Sequence, residues 1–394
     1  MPDISKRLLG IVPEGENDGW EVHFAAFERK MAGEDILMLS IGDHEFDTPE
    51  ATVEACVRAV RGGHHHYSEI AGMPALRAAI AKMTEESTGV ETSPAQVLAT
   101  IGGQAALNSA LLGTLDHGDH GIMISPYYVT YPGGFNFTGA SHTVVDASAE
   151  NGFQPDPEDI RAAVRSNTKS LLINSPNNPT GAVYSRETLE EIADICREHD
   201  LWLISDEVYS THTGPEHPHI SPRALEGMKQ RTLVINSLSK SHGMTGWRVG
   251  WLIAPERFVQ SGRNLNLIST YGLNDFVSRA ATEAIENAYG VDEITHIYAK
   301  RQAKFVELMR GINSVTVRGS EGGMYVMLDI RGVAATGQEF AWALLNAEKV
   351  AVLPGESFGS AATGHVRISM CQTDELLEEA AYRLKRFVTS QNSN

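Results

Sequence analysis

Cysteine is scarce in this chain of 394 residues. Only Cys56, Cys196 and Cys371 occur, and they stand far apart. Their odd number and wide spacing argue against a framework of disulfides and against a zinc site built from closely spaced cysteines. We therefore expect a protein of a reducing compartment. Hydrophobic residues make up 42% of the chain, which is enough for a large core.

Positive charge and long apolar segments are also in short supply. Lys and Arg total 32 against 50 Asp and Glu, so the formal net charge is -18. This balance argues against nucleic acid and against an anionic membrane surface, because both attract basic faces. No apolar run approaches the roughly 20 residues that cross a bilayer, and no signal-peptide pattern follows Met1. These absences predict a cytoplasmic protein without a nucleic-acid or membrane partner.

Short apolar runs alternate with amphipathic stretches through the middle of the chain. A helical pattern over 185–197 stands between two of the runs. This alternation predicts an α/β fold with a mostly parallel sheet that is buried on both faces. The predicted strands are 97–101, 121–125, 170–174, 201–205, 232–236 and 247–254. Ligands of such sheets bind beyond the carboxyl ends of the strands. The polar residues at or just beyond these ends are Asn178, Asp206, Ser237 and Lys240.

The pattern changes near residue 295, where a smaller α+β domain is predicted. The segment before residue 48 is too short to fold alone, so we expect it to pack on that small domain or on a partner. Helices are expected at 295–310, at 337–347 and from Asp374, and strands at 323–330, 350–353 and 366–370. The predicted division is 1–47 for the arm with part of the small domain, 48–294 for the large domain and 295–394 for the small domain.

Lys240 follows an apolar strand and a polar turn, and Arg248 comes eight residues later. A lysine beside other cations and partly desolvated has a lowered pKa and can form a Schiff base. Together with Ser237, these residues suit a ligand that carries a phosphate and an aldehyde. Taken alone, a solvated lysine on a loop is the more common alternative.

Asp206 ends a predicted strand in a largely apolar setting and therefore requires a cationic partner, such as a protonated pyridine nitrogen. Tyr209 would lie nearby as a hydrogen-bond donor. The alternative is that Asp206 caps a following helix. Asn178 precedes Pro179, which restricts its backbone and aims its amide, although an ordinary loop has the same composition.

Four further residues suit an anionic or planar ligand, although each also has an ordinary structural explanation. Gly103 and Gln104 open a predicted helix whose exposed amides could bind phosphate, although a glycine pair also serves any tight turn. Tyr128 lies beyond another strand end, where its ring could stack on a planar ligand or pack in the core. Arg367 lies in an apolar strand, where its fork suits a substrate carboxylate or an internal salt bridge.

The order and spacing of these elements resemble the class I aminotransferases of fold type I, the aspartate aminotransferase superfamily. The resemblance runs from Leu39 to Arg367. It depends on Asn-Pro-Thr-Gly at 178–181, Asp-x-x-Tyr at 206–209 and Ser-x-x-Lys-x7-Arg at 237–248. It implies a seven-stranded, mostly parallel sheet between helices, pyridoxal 5′-phosphate as cofactor, no metal, and a homodimer that shares its active sites.

The resemblance also implies a role for each matching residue. Lys240 would hold the cofactor as a Schiff base and carry the catalytic proton, and Asp206 would keep the pyridine nitrogen protonated. Asn178 and Tyr209 would bond to the ring oxygen, and Tyr128 would stack on the ring. The phosphate would be bound by Gly103, Gln104, Ser237 and Arg248, and by Tyr67 of a neighbouring subunit. The substrate would meet Gly42, Asn178, Arg367 and Tyr271.

Some positions depart from the common family pattern and bear on the substrate. These are Asp43-His44 after Gly42, Gln104 in place of a lysine, and Thr270-Tyr271-Gly272. The chain looks most like the arginine–pyruvate aminotransferases in the arm at 20–23, in Ser-Lys-Ser-His at 239–242 and in Tyr271-Gly272. This likeness implies an arginine-like donor and pyruvate as acceptor. Candidates for the acidic residue that such a donor needs are Glu16, Asp18 and Glu21. No role is assigned to His44 or to the histidines at 64–66.

Other functions remain as alternatives at this stage. A β-lyase of sulfur amino acids uses the same constellation of residues, and an aspartate or aromatic aminotransferase also fits. A Ser-x-x-Lys hydrolase is disfavoured because such a pair needs a helix, whereas a strand is expected to lead straight into Lys240. A nicotinamide oxidoreductase is excluded because the chain has no Gly-x-Gly motif.

Overall fold

The computed structural model of the protein describes residues 3–12, 20–312, 314–318 and 321–391. The helices are α1 Lys6–Leu9, α2 Glu21–Met31, α3 Glu50–Arg61, α4 Pro74–Thr88, α5 Gly102–Thr114, α6 Tyr131–Thr138, α7 Pro157–Ala163, α8 Arg186–Glu198, α9 Leu238–Ser241, α10 Glu256–Ser269, α11 Asp275–Glu286, α12 Val291–Met309, α13 Gly337–Glu348 and α14 Asp374–Gln391. The strands are β1 Leu37–Met38, β2 Val97–Ile101, β3 His120–Ser125, β4 Ser141–Asp146, β5 Thr168–Asn174, β6 Trp202–Asp206, β7 Thr232–Ser237, β8 Val249–Ile253, β9 Thr316–Arg318, β10 Tyr325–Asp329, β11 Val350–Ala351, β12 Leu353–Pro354 and β13 His365–Ser369.

A seven-stranded sheet in the order β2-β8-β7-β6-β5-β3-β4 forms the centre of the larger body. Strand β8 runs antiparallel to both of its neighbours, and the remaining pairs are parallel. Apolar residues cover both faces, because successive side chains of β5 and β6 enter two different core clusters. The predicted α/β class is confirmed. The carboxyl ends of β5, β6 and β7 meet at one edge, as parallel strands require.

Strand β4 is the one strand of this sheet that the sequence did not predict. It lies at the edge of the sheet, beside β3 alone, and Val145 is its only buried residue. An edge strand with one buried position has no continuous apolar run. The signal on which the other strands were predicted is therefore absent there.

A second body contains the four-stranded antiparallel sheet β12-β13-β10-β9 and the helices α12, α13 and α14. The single strand expected over 350–353 is divided in two. Strand β11 pairs in parallel with β1 of the N-terminal segment, whereas β12 pairs with β13. Val22 and Ala26 of helix α2 are buried in this second core. The domain boundaries at 47 and 294 stay a prediction.

No helix in the described part of the chain is both long enough and apolar enough to cross a membrane.

Candidate active site

A cavity of about 320 Å³ lies between the two bodies, at the carboxyl edge of the large sheet. Its wall includes residues from strands β5, β6 and β7, from helix α5, and from β10 and β13 of the second body. Most of the residues predicted for the site line it: Gly42, Gly103, Gln104, Tyr128, Asn178, Asp206, Tyr209, Ser237, Lys240, Arg248 and Arg367. Residues separated by more than 300 positions in the chain thus meet around one space.

Lys240 is partly buried and points into this cavity. Its Nζ donates a hydrogen bond of 2.5 Å to the carbonyl oxygen of Gly42. Burial lowers the pKa of the amine, which favours the neutral, nucleophilic form. The expectation that a strand leads straight into Lys240 was wrong: Lys240 lies within the short helix α9, which follows β7 and has Ser237 as its N-cap. A four-residue helix shows no apolar periodicity, so the sequence could not reveal it.

Asp206 is the last residue of β6 and is buried. Its Oδ2 accepts a hydrogen bond of 2.7 Å from the Tyr131 hydroxyl, and its Oδ1 accepts one of 3.3 Å from the Val208 amide. Burial raises the pKa of the carboxyl to about 6. Residues 208–211 form turns, so Asp206 does not cap a helix. Within the described residues no cation pairs with this carboxylate.

Tyr131 was missed by the sequence analysis. It is the first residue of α6 and is fully buried, with its hydroxyl as the only side-chain donor to Asp206 within the described residues. A signal was available, because Tyr131 follows the same strand end as Tyr128. A buried tyrosine hydroxyl normally has a hydrogen-bond partner.

Arg367 lies on β13 and is only 1% exposed. Its Nη1 donates to Asn178 Oδ1 at 2.8 Å and its Nη2 to the Ser40 carbonyl at 2.6 Å. The guanidinium lies over the rings of Tyr325, at 4.2 Å, and Phe358, at 4.9 Å. The internal salt bridge considered above is not found, since no described carboxylate pairs with it, and its Nε is buried without a partner. A buried guanidinium in this state is suited to an incoming carboxylate.

Asn178 and Tyr209 lie side by side next to Arg367. Because Asn178 Oδ1 accepts from Arg367, its Nδ2 is directed to the Tyr209 hydroxyl, at 3.4 Å. That hydroxyl is also 3.2 Å from the hydroxyl of Tyr325. Burial raises the pKa of Tyr209 well above its usual value, so the phenol stays protonated and can donate. Tyr325 and Ser40 are further contacts that the sequence did not indicate.

The start of α5 forms an anion-binding concavity with Ser237 and Arg248. Gly102 has φ +74°, and a Cβ there would lie 2.5 Å from Nη2 of Arg248. A Cβ on Gly103 would lie 3.8 Å from that of Ser237. The exposed Arg248 is itself held by a hydrogen bond of 2.8 Å from Nη1 to the Thr245 carbonyl. Amides at the start of a thirteen-residue helix, a hydroxyl and a guanidinium together fit a phosphate.

Tyr67 and Tyr271 do not line the cavity of their own chain. Their rings contact each other, with centroids 4.8 Å apart, and they are 85% and 51% exposed. The predicted roles of both residues would therefore require a second subunit. The adjacent histidines are also apart from the cavity, and His64 lies 3.8 Å from the Asp275 carboxylate.

His44, which had no predicted role, connects the Lys240 turn to α12. Its Nε2 is 3.0 Å from the Ser239 carbonyl, and its Nδ1 is 2.7 Å from the Tyr298 hydroxyl. Because a carbonyl only accepts, we assign the proton to Nε2. Burial lowers the pKa of His44 to about 4, so the ring is neutral at pH 7.

Comparisons with known proteins agree with this geometry. The family model described as aminotransferase class I and II matches residues 34–384. The chain is 39% identical to the arginine–pyruvate transaminase of Pseudomonas aeruginosa, over 97% of this chain and 96% of that protein. It is 36% identical to the aspartate/prephenate aminotransferase of Thermus thermophilus, over 98% and 99%. The solved structure of the Thermus thermophilus aspartate aminotransferase with maleate has a TM-score of 0.92 at 35% identity, covering 98% of this chain and 100% of that chain. The chain belongs to the class I and II aminotransferase family and is a transferase enzyme.

Proposed function

We propose that the protein is a pyridoxal-phosphate-dependent aminotransferase. It moves the amino group of an L-amino acid, with arginine as the first candidate, to a 2-oxo acid such as pyruvate in a ping-pong reaction. The observation that supports this proposal most strongly is Asp206, whose buried carboxylate has no cationic partner among the described residues and whose pKa is raised by burial. A protonated pyridine nitrogen would supply the cation that this carboxylate lacks.

The residues around the cavity fit the rest of this cofactor. Lys240 supplies the amine for covalent attachment, and the concavity of Gly102, Gly103, Ser237 and Arg248 accepts the phosphate. Tyr128 is half-buried in the wall, where its ring can stack on the cofactor ring. When bound, pyridoxal phosphate supplies an electron sink for the bonds to the substrate's α-carbon.

The chain's own residues then divide the work of binding and proton transfer. Arg367 binds the α-carboxylate, and the rings of Tyr325 and Phe358 hold its guanidinium in place. Asn178 Nδ2 and the protonated Tyr209 would be the hydrogen-bond donors for the phenolic oxygen of the cofactor ring. Lys240 would hold the cofactor, and its amine would serve as the base that moves the proton at the α-carbon of the substrate.

The arginine-like donor is supported by sequence likeness and by charge. The Pseudomonas aeruginosa relative is named for arginine and pyruvate. Gln104 is a neutral amide in the cavity wall, where a lysine would repel a guanidinium. The proposed ring contact from Tyr271 would have to come from a second subunit, because Tyr271 does not line its own cavity. Of the suggested acidic partners, Glu16 and Asp18 lie outside the described residues, and Glu21 accepts a hydrogen bond from Gln338 away from the cavity.

The decisive experiment is to expose the purified holoenzyme to each amino acid in turn and record the conversion of the cofactor to its amino form. We expect arginine to give the highest catalytic efficiency, with the matching 2-oxo acid as product. A tenfold or greater preference for aspartate would contradict the arginine donor while leaving the aminotransferase proposal intact. Release of ammonia and pyruvate from sulfur amino acids, without amino-group exchange, would identify a β-lyase instead.

A further inference from the structure

Among the residues that the structure describes, five charged side chains line the cavity, and the proposed function uses four of them. Lys240 attaches the cofactor, Arg248 meets its phosphate, Asp206 faces its ring nitrogen and Arg367 binds the substrate carboxylate. Asp43 is the charge that remains. With the other four matched by cofactor and α-carboxylate, Asp43 is the one negative charge of the described wall that is left for the rest of the substrate.

The backbone holds Asp43 in place on both sides. The carbonyl of Gly42 accepts the hydrogen bond from Lys240 Nζ at 2.5 Å, and the ring of His44 bridges Ser239 and Tyr298. Glu45 is fixed by a 2.5 Å ion pair with Arg301. Asp43 itself is exposed, and no cation in the described part of the chain lies within ion-pair distance of it, although its charge acts on the neighbouring Lys240 and His44. Its carboxylate is therefore available to a ligand while its backbone is rigid.

The surroundings of Asp43 in the cavity suit an elongated cation. The indole of Trp20 lines the same cavity and offers a ring surface to methylene groups or to a guanidinium. Gln104 adds a neutral amide, with its Oε1 accepting from the Thr130 hydroxyl at 3.0 Å. No lysine or arginine of the wall, apart from those already assigned, competes for the carboxylate.

We propose that Asp43 is a specificity-determining residue that binds the cationic end of a basic amino donor while Arg367 holds its α-carboxylate. This inference rests on the proposed function and adds the residue that selects the substrate class. A carboxylate that accepts two hydrogen bonds from a guanidinium discriminates against a neutral isostere, because the isostere cannot form the same bidentate ion pair.

Arginine and citrulline provide a direct test, because citrulline replaces one guanidinium nitrogen with a neutral urea oxygen. We expect Asp43→Asn to lower the ratio of kcat/KM for arginine to that for citrulline by about 5- to 30-fold. This is less than the roughly 10- to 150-fold of a hydrogen bond to a charged group, because the exposed Asp43 is screened by solvent. Asp47→Asn is the matched control. It removes a carboxylate four residues further along the same loop. Asp47 lines the neighbouring cavity but not this one, so its loss should leave the ratio unchanged.

A binding measurement separates this inference from the proposed reaction. The probes are 5-guanidinopentanoate and 5-ureidopentanoate, which lack the α-amino group and cannot react, and their binding to the holoenzyme is measured by calorimetry. A preference for the guanidinium probe that Asp43→Asn abolishes supports the inference, even if arginine is not turned over. Failure to turn over arginine would overturn the arginine donor proposed above. The inference is overturned if the native enzyme shows no such preference or if Asp43→Asn retains it.

Discussion

Single residues in the cavity are arranged for ligands rather than for the stability of the protein. Burial raises the pKa of Asp206 to about 6, above the roughly 3.9 of an unfolded chain. A group whose pKa is raised on folding makes its full contribution to the free energy of unfolding below the unfolded pKa. That contribution is lost as the pH rises through the folded pKa. Between about pH 4 and 6, Asp206 therefore lowers the free energy of unfolding of the cofactor-free protein, by about 3 kcal/mol in all.

We therefore expect Asp206→Asn to stabilise the cofactor-free protein at pH 7.5 while abolishing most of the activity of the holoenzyme. The amide retains an acceptor for Tyr131 but carries no buried charge. Thermal unfolding of both proteins at pH 4.5 and 7.5 tests this: the variant should have the higher melting temperature at pH 7.5, with a smaller gap at pH 4.5. A lower melting temperature for the variant at pH 7.5 would contradict the conclusion that the buried charge of Asp206 destabilises the cofactor-free protein.

Tyr131 acts through Asp206, so its removal should weaken the hold on a protonated cofactor ring. We expect Tyr131→Phe to lower kcat by about tenfold, since a hydrogen bond to a charged group contributes about 1.5–3 kcal/mol and part of this is compensated. The control is Tyr184→Phe, a buried tyrosine of another core that does not line the cavity. Steady-state kinetics should show loss in the first variant only; equal rates would remove Tyr131 from the mechanism.

At the scale of helices and strands, the sequence predicts the elements that have a local apolar pattern. It does not predict contacts between residues that are far apart in the chain. Strand β5 is recognisable because a strand covered on both faces is continuously apolar, whereas edge strand β4 is not. The polar residues at the strand ends predicted the position of the cavity, because each of them follows such an apolar run. The contact of Arg367 with Ser40 joins residues 327 apart, and no local pattern encodes such a pair.

The beginning of α5 should tolerate no side chain at Gly102. Alanine there would require a strained φ of +74° and would place Cβ 2.5 Å from Arg248 Nη2, moving the guanidinium out of the phosphate position. We expect Gly102→Ala to weaken pyridoxal phosphate binding by at least about tenfold, from strain of about 1 kcal/mol plus the lost phosphate contact. Gly89→Ala is the matched control, because Gly89 has φ +69° with no atom within 4 Å of the added Cβ. Absorbance titration of the cofactor-free variants gives both affinities, and equal values for the two would contradict the phosphate assignment.

At the scale of the whole molecule, the exposed pair Tyr67 and Tyr271 suggests that one chain does not complete its own site. We expect a homodimer in which Tyr67 reaches the phosphate of the neighbouring subunit. Mixing Tyr67→Phe chains with Lys240→Ala chains should then restore activity, because each mixed dimer has one site with both native residues. Activity equal to the mean of the two parents after subunit exchange, or a fully active monomer in sedimentation, would contradict shared sites.

We expect this enzyme to attach pyridoxal phosphate through Lys240. Borohydride reduction of the yellow holoenzyme, followed by proteolysis and mass spectrometry, locates the attached cofactor directly. Lys240 should carry it at about one equivalent per chain, and Lys240→Ala should carry none. Stoichiometric attachment to another lysine in the native protein, or a reducible link that persists in Lys240→Ala, would contradict the assignment.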